Sequence, residues 1–420
     1  MKNKYLTLAL LAAMLHANGQ KKQDSIYKKQ RISRTDIQVL FGYYTQNGDH
    51  SAVTGGKGTE KLHVYSPELT ITHHLDSARN WSLNAGVDVI SSASLDNIDF
   101  IVSSASKLSA RIHISPSYSF KLKKSDTRIT LGTGISVESA YLSFPAAISV
   151  SHAAPSGSRE WTAGLQCYFD DLRYGRISLD YGYPVGLVYP AELRDTSWFP
   201  NFRRNSYNLS FAWYQVINAR MQLALFPELV YQKGLLSTSY HRVFFRGDRF
   251  TERVEKLPGE RWKFPLAAQL NIFAGARTVI RTYYRWYHDD LGITAHTLQL
   301  EVPVKINAIL SLAPLVRLYT QTAAHYFAPY QEHKLNEIYY TSDYDLSHFN
   351  SYKAGLTIRY APQRPMSPRY TFNALSLRYG WYKRSDGLAA HILTLLLELE
   401  HNRRRTLRQA FSSGEINHSD

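Results

Sequence analysis

The side chains best suited to metal coordination lie around a predicted tight turn at Gly292. Two imidazoles and two carboxylates flank this glycine, and such groups are ligands for divalent transition ions. The sequence therefore raises metal binding as a hypothesis, with His288, Asp289 and His296 as candidate ligands. Further donors are Asp290 beside them and His325, Asp343 and Asp345 in the next long loop. The alternative is an ordinary polar turn.

Two motifs that enzymes use are incomplete in this chain. Ser237 and Ser239 lie close to His241, but a serine nucleophile needs an adjacent base and a group that orients the base. No orienting group can be assigned, so we predict no enzymatic activity and no cofactor. The glycine-rich run 55–59 lacks the spacing of a phosphate-binding loop. It predicts a flexible outer hairpin instead.

Apolar and polar residues alternate along most of the chain. In residues 111–120 every second residue is apolar and the residues between are basic or carry hydroxyls. Residues 81–89, 261–272 and 279–287 also alternate with a period of two between a largely apolar face and an opposite face. A period of two with one apolar face is typical of strands that contact a hydrophobic phase on one side. The pattern predicts strands near 36–45, 62–74, 81–92, 108–121, 127–138, 141–151, 161–169, 205–217, 220–232, 261–273, 278–288, 293–306, 310–323, 348–360, 372–382 and 388–400.

Connection lengths and tryptophan positions support a membrane barrel. Every second connection is predicted to be short, and the others hold the long insertions, at 46–61, 93–107, 169–204, 233–260 and 324–347. Outer-membrane barrels have short periplasmic turns, long outer loops and two aromatic girdles. The tryptophans at predicted strand ends are Trp81, Trp161 and Trp213 on the periplasmic side and Trp262, Trp286 and Trp381 on the outer side. We therefore predict an all-β transmembrane antiparallel β-barrel of about 16 strands.

The start of the chain has the layout of a secretory signal peptide. Lys2 and Lys4 precede an apolar stretch at 5–15, and small residues follow at Ala17 and Gly19. We expect a signal peptide at 1–19, a periplasmic segment at 20–35, the barrel at 36–401 and a periplasmic tail at 402–420. One cysteine, Cys167, excludes a secreted fold held by disulfides. After residue 20 no apolar run is long enough for a helical membrane span.

Basic residues outnumber acidic ones. The formal charge of +15 becomes +13 once Lys2 and Lys4 leave with the signal peptide. An exported chain rarely meets nucleic acid, so we expect outer-membrane lipid or a small anionic solute as the counterpart. The predicted inward face carries Arg111, Glu228, Arg261, Lys263, Arg281, Arg285, Glu301, Arg317, Lys353 and Arg378.

These inward charges allow two interpretations. Those from Glu228 to Arg317 fall on five consecutive predicted strands and could form one wall of alternating charge. Because an unpaired charge in a dry interior is costly, either the lumen is wet or the charges pair. A basic constriction would favour anions, whereas an ion-pair ladder would brace the barrel.

Several long segments resemble an outer-membrane β-barrel family known as domain of unknown function 3570. They are SAVTGGKGTE (51–60), YPAELR (189–194), YQKGLLSTSYHRVFF (231–245), VEKLPGERWKFP (254–265), YYRWYHDDLGITAHT (283–297), RLYTQTAAHYFAPY (317–330) and YYTSDYDLSHF (339–349). The resemblance covers nearly the whole mature chain. It implies the same fold and location, and it brings no activity, substrate or catalytic residue.

These segments lie mostly in the predicted outer loops. Loops that only keep a barrel rim soluble rarely need such specific side chains, so a further role is expected. Side chains that could line or plug the outer mouth are Glu192, Arg194, His241, Arg242, Glu255, Lys256, Asp289, Asp290, His296, His325, Asp343 and Asp345. The alternative role is loop-to-loop hydrogen bonding that closes the mouth. Our leading hypothesis is a pore or transporter for a small, anionic solute. The second is a non-conducting scaffold for periplasmic or surface proteins in a transport or redox assembly.

Overall fold

The computed structural model describes residues 34–92, 108–123, 125–138, 142–172, 202–238, 240–247 and 252–402. These residues form one closed antiparallel β-barrel of 16 strands. Neighbours in sequence pair with each other, and the first strand pairs with the last from Arg34–Asn402 to Asn47–Ala389, which closes the sheet. The predicted signal peptide and nearly all of the predicted tail lie outside the described residues.

In chain order the strands are β1 (Arg34–Asn47), β2 (Leu62–His74), β3 (Arg79–Ser92), β4 (Leu108–Lys121), β5 (Thr127–Thr133 and Ile135–Val137), β6 (Leu142–Ala153), β7 (Arg159–Asp171), β8 (Arg203–Asn218), β9 (Met221–Gly234), β10 (Glu260–Ala274), β11 (Thr278–Asp289), β12 (Thr294–Glu301 and Val304–Lys305), β13 (Leu310–Gln321), β14 (Phe349–Tyr360 and Arg364–Pro365), β15 (Tyr370–Arg384) and β16 (Ala389–Asn402). The predicted fold and strand count are confirmed. The predicted strand at 293–306 is interrupted before Val304, because Pro303 has no N–H to donate to the ladder.

The outward face of the barrel is apolar. Leu209, Leu266, Leu298, Val316 and Leu318 are each between 48 and 53% exposed. Exposed apolar side chains occupy alternate positions along the strands around the whole barrel. A contiguous apolar band of this kind is unusual on a water-soluble protein. This face therefore contacts lipid, and the chain is an outer-membrane barrel.

Aromatic residues mark both edges of the apolar band, as predicted. Trp161 and Trp213 are register partners near the end that carries the short turns. At the opposite end Trp262 stacks on Tyr231 with ring centroids 4.4 Å apart. The two rows of tryptophans are the girdles that place a barrel in a bilayer.

The two barrel ends differ as the connection lengths predicted. The turns at one end are short, at 75–78, 122–126, 154–158, 219–220, 275–277, 306–309 and 366–369. The long described loops all lie at the other end, at 48–61, 235–259 and 322–348; the predicted loop 93–107 and most of 169–204 lie outside the described residues.

The loops contain little regular structure of their own. Loop 235–259 contains a small hairpin, Arg242–Phe244 paired with Glu252–Val254. Two 3-10 turns are Ala52–Thr54 and Tyr344–Leu346. Among the described residues no helix is long and apolar enough to cross a lipid bilayer.

Candidate functional site

The charged residues predicted to line the lumen lie on the inward face of their strands. In β13, Arg317 points inward between the lipid-facing Val316 and Leu318. The strand register places the rest on the same inner face, at Arg111, Glu228, Arg261, Lys263, Arg281, Arg285, Glu301, Lys353 and Arg378.

One side of the lumen is strongly basic, and we call it the basic wall: Arg281, Arg285, Arg317, Lys353 and Arg378, on β11, β13, β14 and β15. Arg317 and Lys353 are direct register partners. Within the described residues neither of them has an acidic partner, and Arg317 and Arg378 both repel the charge of Lys353. Like charges opposite each other destabilise a sheet. The presence of this pair therefore cannot be explained by a contribution to barrel stability.

Among the described residues, one acidic side chain bridges two members of the basic wall. Glu301 accepts from Arg281 Nη1 at 3.3 Å and from Arg378 Nη2 at 3.4 Å. One carboxylate thus serves two guanidiniums, which leaves the wall with a net positive charge. Within the basic wall, the pairing found among the described residues is limited to this bridge, while Arg285, Arg317 and Lys353 stand outside it.

Other inward charges do pair, although not in the order suggested by the sequence. Arg111 Nε lies 2.9 Å from Asp88 Oδ2. Arg261 bonds to the buried Asp289, and Glu228 makes no ion pair with any described residue. The wall of alternating charge running from Glu228 to Arg317 is therefore not formed.

Two cavities large enough for water border the charged residues of the lumen. A cavity of about 490 Å³ is lined by Arg281, Glu301, Arg359 and Arg378, among others. A second cavity, of about 560 Å³, lies nearer the short-turn end and also borders Arg359. The side chains of Arg281 and Arg378 are 46% and 53% exposed, so these charges face solvent in the lumen.

Three long loops pack together at the outer end, and we call them the cap: the described residues of loop 1 (48–61), loop 5 (235–259) and loop 7 (322–348). Val243, Phe245 and Tyr340 form a small core in the cap. The His50 ring of loop 1 stacks on Tyr344 of loop 7 with centroids 3.8 Å apart. The cap is therefore a packed structure in which three loops share contacts.

Loop 7 folds into the end of the lumen. The inward-facing Gln321 is 5% exposed, and its Nε2 donates to the carbonyls of Asp345 and Ser347 at 3.0 and 2.6 Å. Arg384, at the end of β15, donates to Asp345, Asp386 and the carbonyl of Tyr344. Both side chains tie the 3-10 turn of loop 7 to the barrel wall.

The glycine-rich run 55–59 lies in the outer connection of the β1–β2 hairpin and packs into the cap. Gly55 has φ +77°, and a Cβ there would lie 2.5 Å from the Phe244 ring. At Gly56, with φ +85°, a Cβ would lie 2.7 Å from the Ser342 carbonyl oxygen. Glycine permits both the backbone angle and the close approach of loop 1 to loops 5 and 7.

Inside the cap, His241, Glu255 and Asp343 converge. His241 Nδ1 lies 3.6 Å from Glu255 Oε1 and 3.7 Å from Asp343 Oδ2. Glu255 is 2% exposed. Burial raises the pKa of Asp343 to about 6. For His241, burial lowers the pKa, but the neighbouring carboxylates of Glu255 and Asp343 outweigh burial, so the pKa is raised.

The structure does not bring the metal ligands predicted near residue 290 together. His296 lies on the lipid-facing side of β12 with Leu298, and His288 lies on the lipid-facing side of β11. Asp289 points the opposite way, is fully buried, and accepts from Arg261 and Tyr287. Residues one apart on a strand face opposite sides, so these three cannot share an ion.

The remaining predicted mouth residues are distributed as follows. Those in the cap or at its base are His241, Arg242, Glu255, Lys256, Asp289, Asp290, His325, Asp343 and Asp345. Asp290 Oδ2 accepts from the backbone of Trp262 at 2.9 Å, and the His325 ring lies against Gly292. Glu192 and Arg194 lie outside the described residues.

The serine and histidine considered for catalysis do not pair in the described residues. Ser237 Oγ accepts from the backbone N–H of Leu257 at 2.8 Å. His241 Nδ1 instead faces Glu255 and Asp343. Ser239 lies outside the described residues.

Comparison with known sequences identifies the family. The profile of the family described as protein of unknown function DUF3570 matches residues 108–385. The chain belongs to this family. A search of curated proteins gives no match.

Solved structures similar to this DUF3570 protein are barrels at very low identity. A BenF-like porin from Pseudomonas fluorescens Pf-5 has 7% identity, a TM-score of 0.43, and covers 88% of this chain and 98% of its own. OccAB4 of Acinetobacter baumannii has 8% identity, a TM-score of 0.41, and covers 90% and 100%. The siderophore receptor PirA of Pseudomonas aeruginosa has 11% identity, a TM-score of 0.38, and covers 89% and 81%.

The matched region of this DUF3570 protein includes loop 5, loop 7 and the basic wall. It therefore includes His241, Glu255 and Asp343. These three residues are among the many candidates predicted from the sequence in the outer loops. Their convergence follows from the packing of loop 5 on loop 7, which no periodic pattern encodes.

Proposed function

We propose that this protein is an outer-membrane pore for small solutes and that its basic wall makes the pore prefer anions. The observation that carries the proposal is the Arg317–Lys353 pair, two cations directly opposite each other with no acidic partner among the described residues. Holding such a pair lowers the stability of the barrel. A passing or bound anion would offset this repulsion.

Coulomb's law gives the size of the effect. An ion about 5 Å from each charge in a water-filled lumen gains roughly 0.8 kcal/mol per charge before screening. At about 0.1 M salt, screening reduces the sum for both charges to roughly 1 kcal/mol, or about a 5-fold enrichment of a monovalent anion. At about 1 M salt the enrichment falls below roughly 2-fold. Anion preference should therefore be strong in dilute salt and small in concentrated salt.

The test is the reversal potential of refolded protein in planar bilayers under a salt gradient. The double variant Arg317→Gln with Lys353→Gln should lose most of the anion preference. A matched control removes the Arg359–Glu398 pair, whose atoms lie 2.6 Å apart, by changing both residues to glutamine. The control leaves the net charge of the lumen unchanged and should keep the preference. Unchanged selectivity in the first double variant would refute the role of the wall.

The cap favours a second candidate, a non-conducting scaffold. Loop 7 occupies the outer end of the lumen, where Gln321 and Thr297 are 5% and 3% exposed. If the cap never opens, bilayers containing folded protein should stay silent over the full voltage range. If no conductance appears even after loop 7 is shortened, the pore hypothesis would be rejected in favour of the scaffold.

A further inference from the structure

The cap holds a second site, separate from the basic wall. We propose that His241, Glu255 and Asp343 bind one divalent transition-metal ion of the Zn²⁺ type and that the ion ties loop 5 to loop 7. Two ligands come from the two sides of the loop 5 hairpin, and the third begins the 3-10 turn of loop 7.

The distances fit a shared ion better than a hydrogen bond. The three ligand atoms lie within 4.8 Å of one another. His241 Nδ1 is 3.6 and 3.7 Å from the two carboxylates, beyond the range of a good hydrogen bond. Ligands at about 2.0–2.2 Å from a tetrahedral Zn²⁺ are separated by roughly 3.3–3.6 Å.

The imidazole nitrogen is otherwise unused. His241 Nδ1 is buried and makes no hydrogen bond with any described residue. A buried polar atom without a hydrogen bond is costly in a folded protein. An ion between Nδ1 and the carboxylates would remove that cost.

Both carboxylates are held in the orientation that an ion requires. Thr341 Oγ1 donates to Glu255 Oε1 at 2.5 Å, and the backbone N–H of Thr238 donates to Oε2 at 2.7 Å. Asp343 Oδ1 accepts from the backbone of Asp345 at 2.9 Å, which leaves Oδ2 directed at His241. Outer hydrogen bonds of this kind orient the ligands of protein metal sites.

The ligand types narrow the choice of ion. One imidazole and two carboxylates suit Zn²⁺ and neighbouring divalent ions, whereas Cu⁺ prefers thiolate or thioether sulfur. Ca²⁺ requires six to eight oxygen ligands. The three side chains offer one nitrogen and at most four oxygens, so Zn²⁺ is the appropriate probe.

The test uses tag-free protein refolded in detergent, with folding checked by heat-dependent gel mobility. After dialysis, wild-type protein should retain about one Zn²⁺ per chain. Asp343→Asn and His241→Gln should each weaken Zn²⁺ binding by at least about 100-fold, since loss of outer-shell partners alone costs 10–100-fold. The control His288→Ala with His296→Ala changes two imidazoles on the lipid face and should bind Zn²⁺ as wild type does.

Two further measurements on wild-type protein do not depend on the variants. Bound Co²⁺ should show the intense visible absorption of a four- or five-coordinate ion, and Zn²⁺ should slow proteolysis within loops 5 and 7 relative to protein in EDTA. The proposal fails if wild-type protein retains no stoichiometric Zn²⁺. It also fails if Co²⁺ keeps the spectrum of its hexaaqua ion, if Zn²⁺ gives no protection, or if both ligand variants bind as tightly as wild type.

Discussion

Replacing Arg384 with glutamine should release loop 7 from the barrel wall. The Arg384 side chain is 5% exposed and donates to Asp345, Asp386 and the carbonyl of Tyr344. Its guanidinium also lies 3.9 Å from the centroid of the Phe349 ring. The substitution removes the positive charge and most of these contacts. The hydrogen bonds between the barrel strands do not involve this side chain and are kept.

The size of the effect follows from the surroundings of each contact. The bond to Asp345 contributes little, because that carboxylate is 72% exposed. The guanidinium also donates to the carbonyl of Tyr344, which lies in loop 7, and a hydrogen bond from a charged donor contributes about 1.5–3 kcal/mol. Asp386 and the Phe349 ring lie outside loop 7, so they orient the guanidinium and do not count toward opening. Opening of loop 7 should become easier by about 2 kcal/mol, which raises the open population on the order of 30-fold.

Hydrogen exchange of residues 322–348, read by mass spectrometry, measures this opening directly. Protection in loop 7 should fall by about 30-fold in Arg384→Gln, and single-channel records should show longer open times. Arg369→Gln, an exposed arginine in the turn at the other barrel end, is the control and should change neither. Wild-type protection of loop 7 in the Arg384 variant would refute the reasoning.

Three other changes test the cap and the wall. Burial raises the pKa of Glu60 to about 7, so between about pH 5 and 7 the folded cap holds a proton that the unfolded chain has lost. Hydrogen-exchange protection of loop 1 should therefore fall as pH rises from about 5 to about 7. Glu60→Gln should remove this pH dependence. Gly292 has φ +92°, and a Cβ there would collide with the His325 ring. Gly292→Ala should therefore lower the unfolding free energy more than Gly157→Ala, because Gly157 has φ +67° and open space around it. Equal losses would contradict the contact. Leu318→Arg on the lipid face should cost about 2–4 kcal/mol of folding free energy in vesicles, and a loss under about 1 kcal/mol would place Leu318 outside the bilayer core.

The barrel could be predicted because lipid imposes a simple rule on sequence. Each strand must be apolar on one face, and neighbouring strands join by local hairpins. That rule predicted the inward position of Arg317 and Lys353. It did not predict that they are register partners, because loop 7 separates them and its length sets the pairing. The interruption of β12 before Val304 follows from Pro303, which the alternation pattern did not take into account.

The cap could not be predicted in the same way. Gly55 lies against Phe244, and Glu255 accepts from Thr341, across distances in sequence that no periodic pattern spans. The metal hypothesis near residue 290 failed for a reason available in the sequence. His288 and Asp289 are adjacent on a predicted strand, so the alternation used elsewhere already places them on opposite faces.

The proposed ion and Arg384 act on the same short turn from different sides. Asp343 precedes the 3-10 turn Tyr344–Leu346, and Asp345, which Arg384 holds, lies within it. An ion bound only by the closed cap stabilises that state by about 2.7 kcal/mol at 100 times its dissociation constant, close to the loss expected from Arg384→Gln. Zn²⁺ should therefore restore most of the loop 7 protection in that variant and none when Asp343→Asn is added. If Zn²⁺ binds Arg384→Gln protein but protection does not return, the ion does not hold this turn.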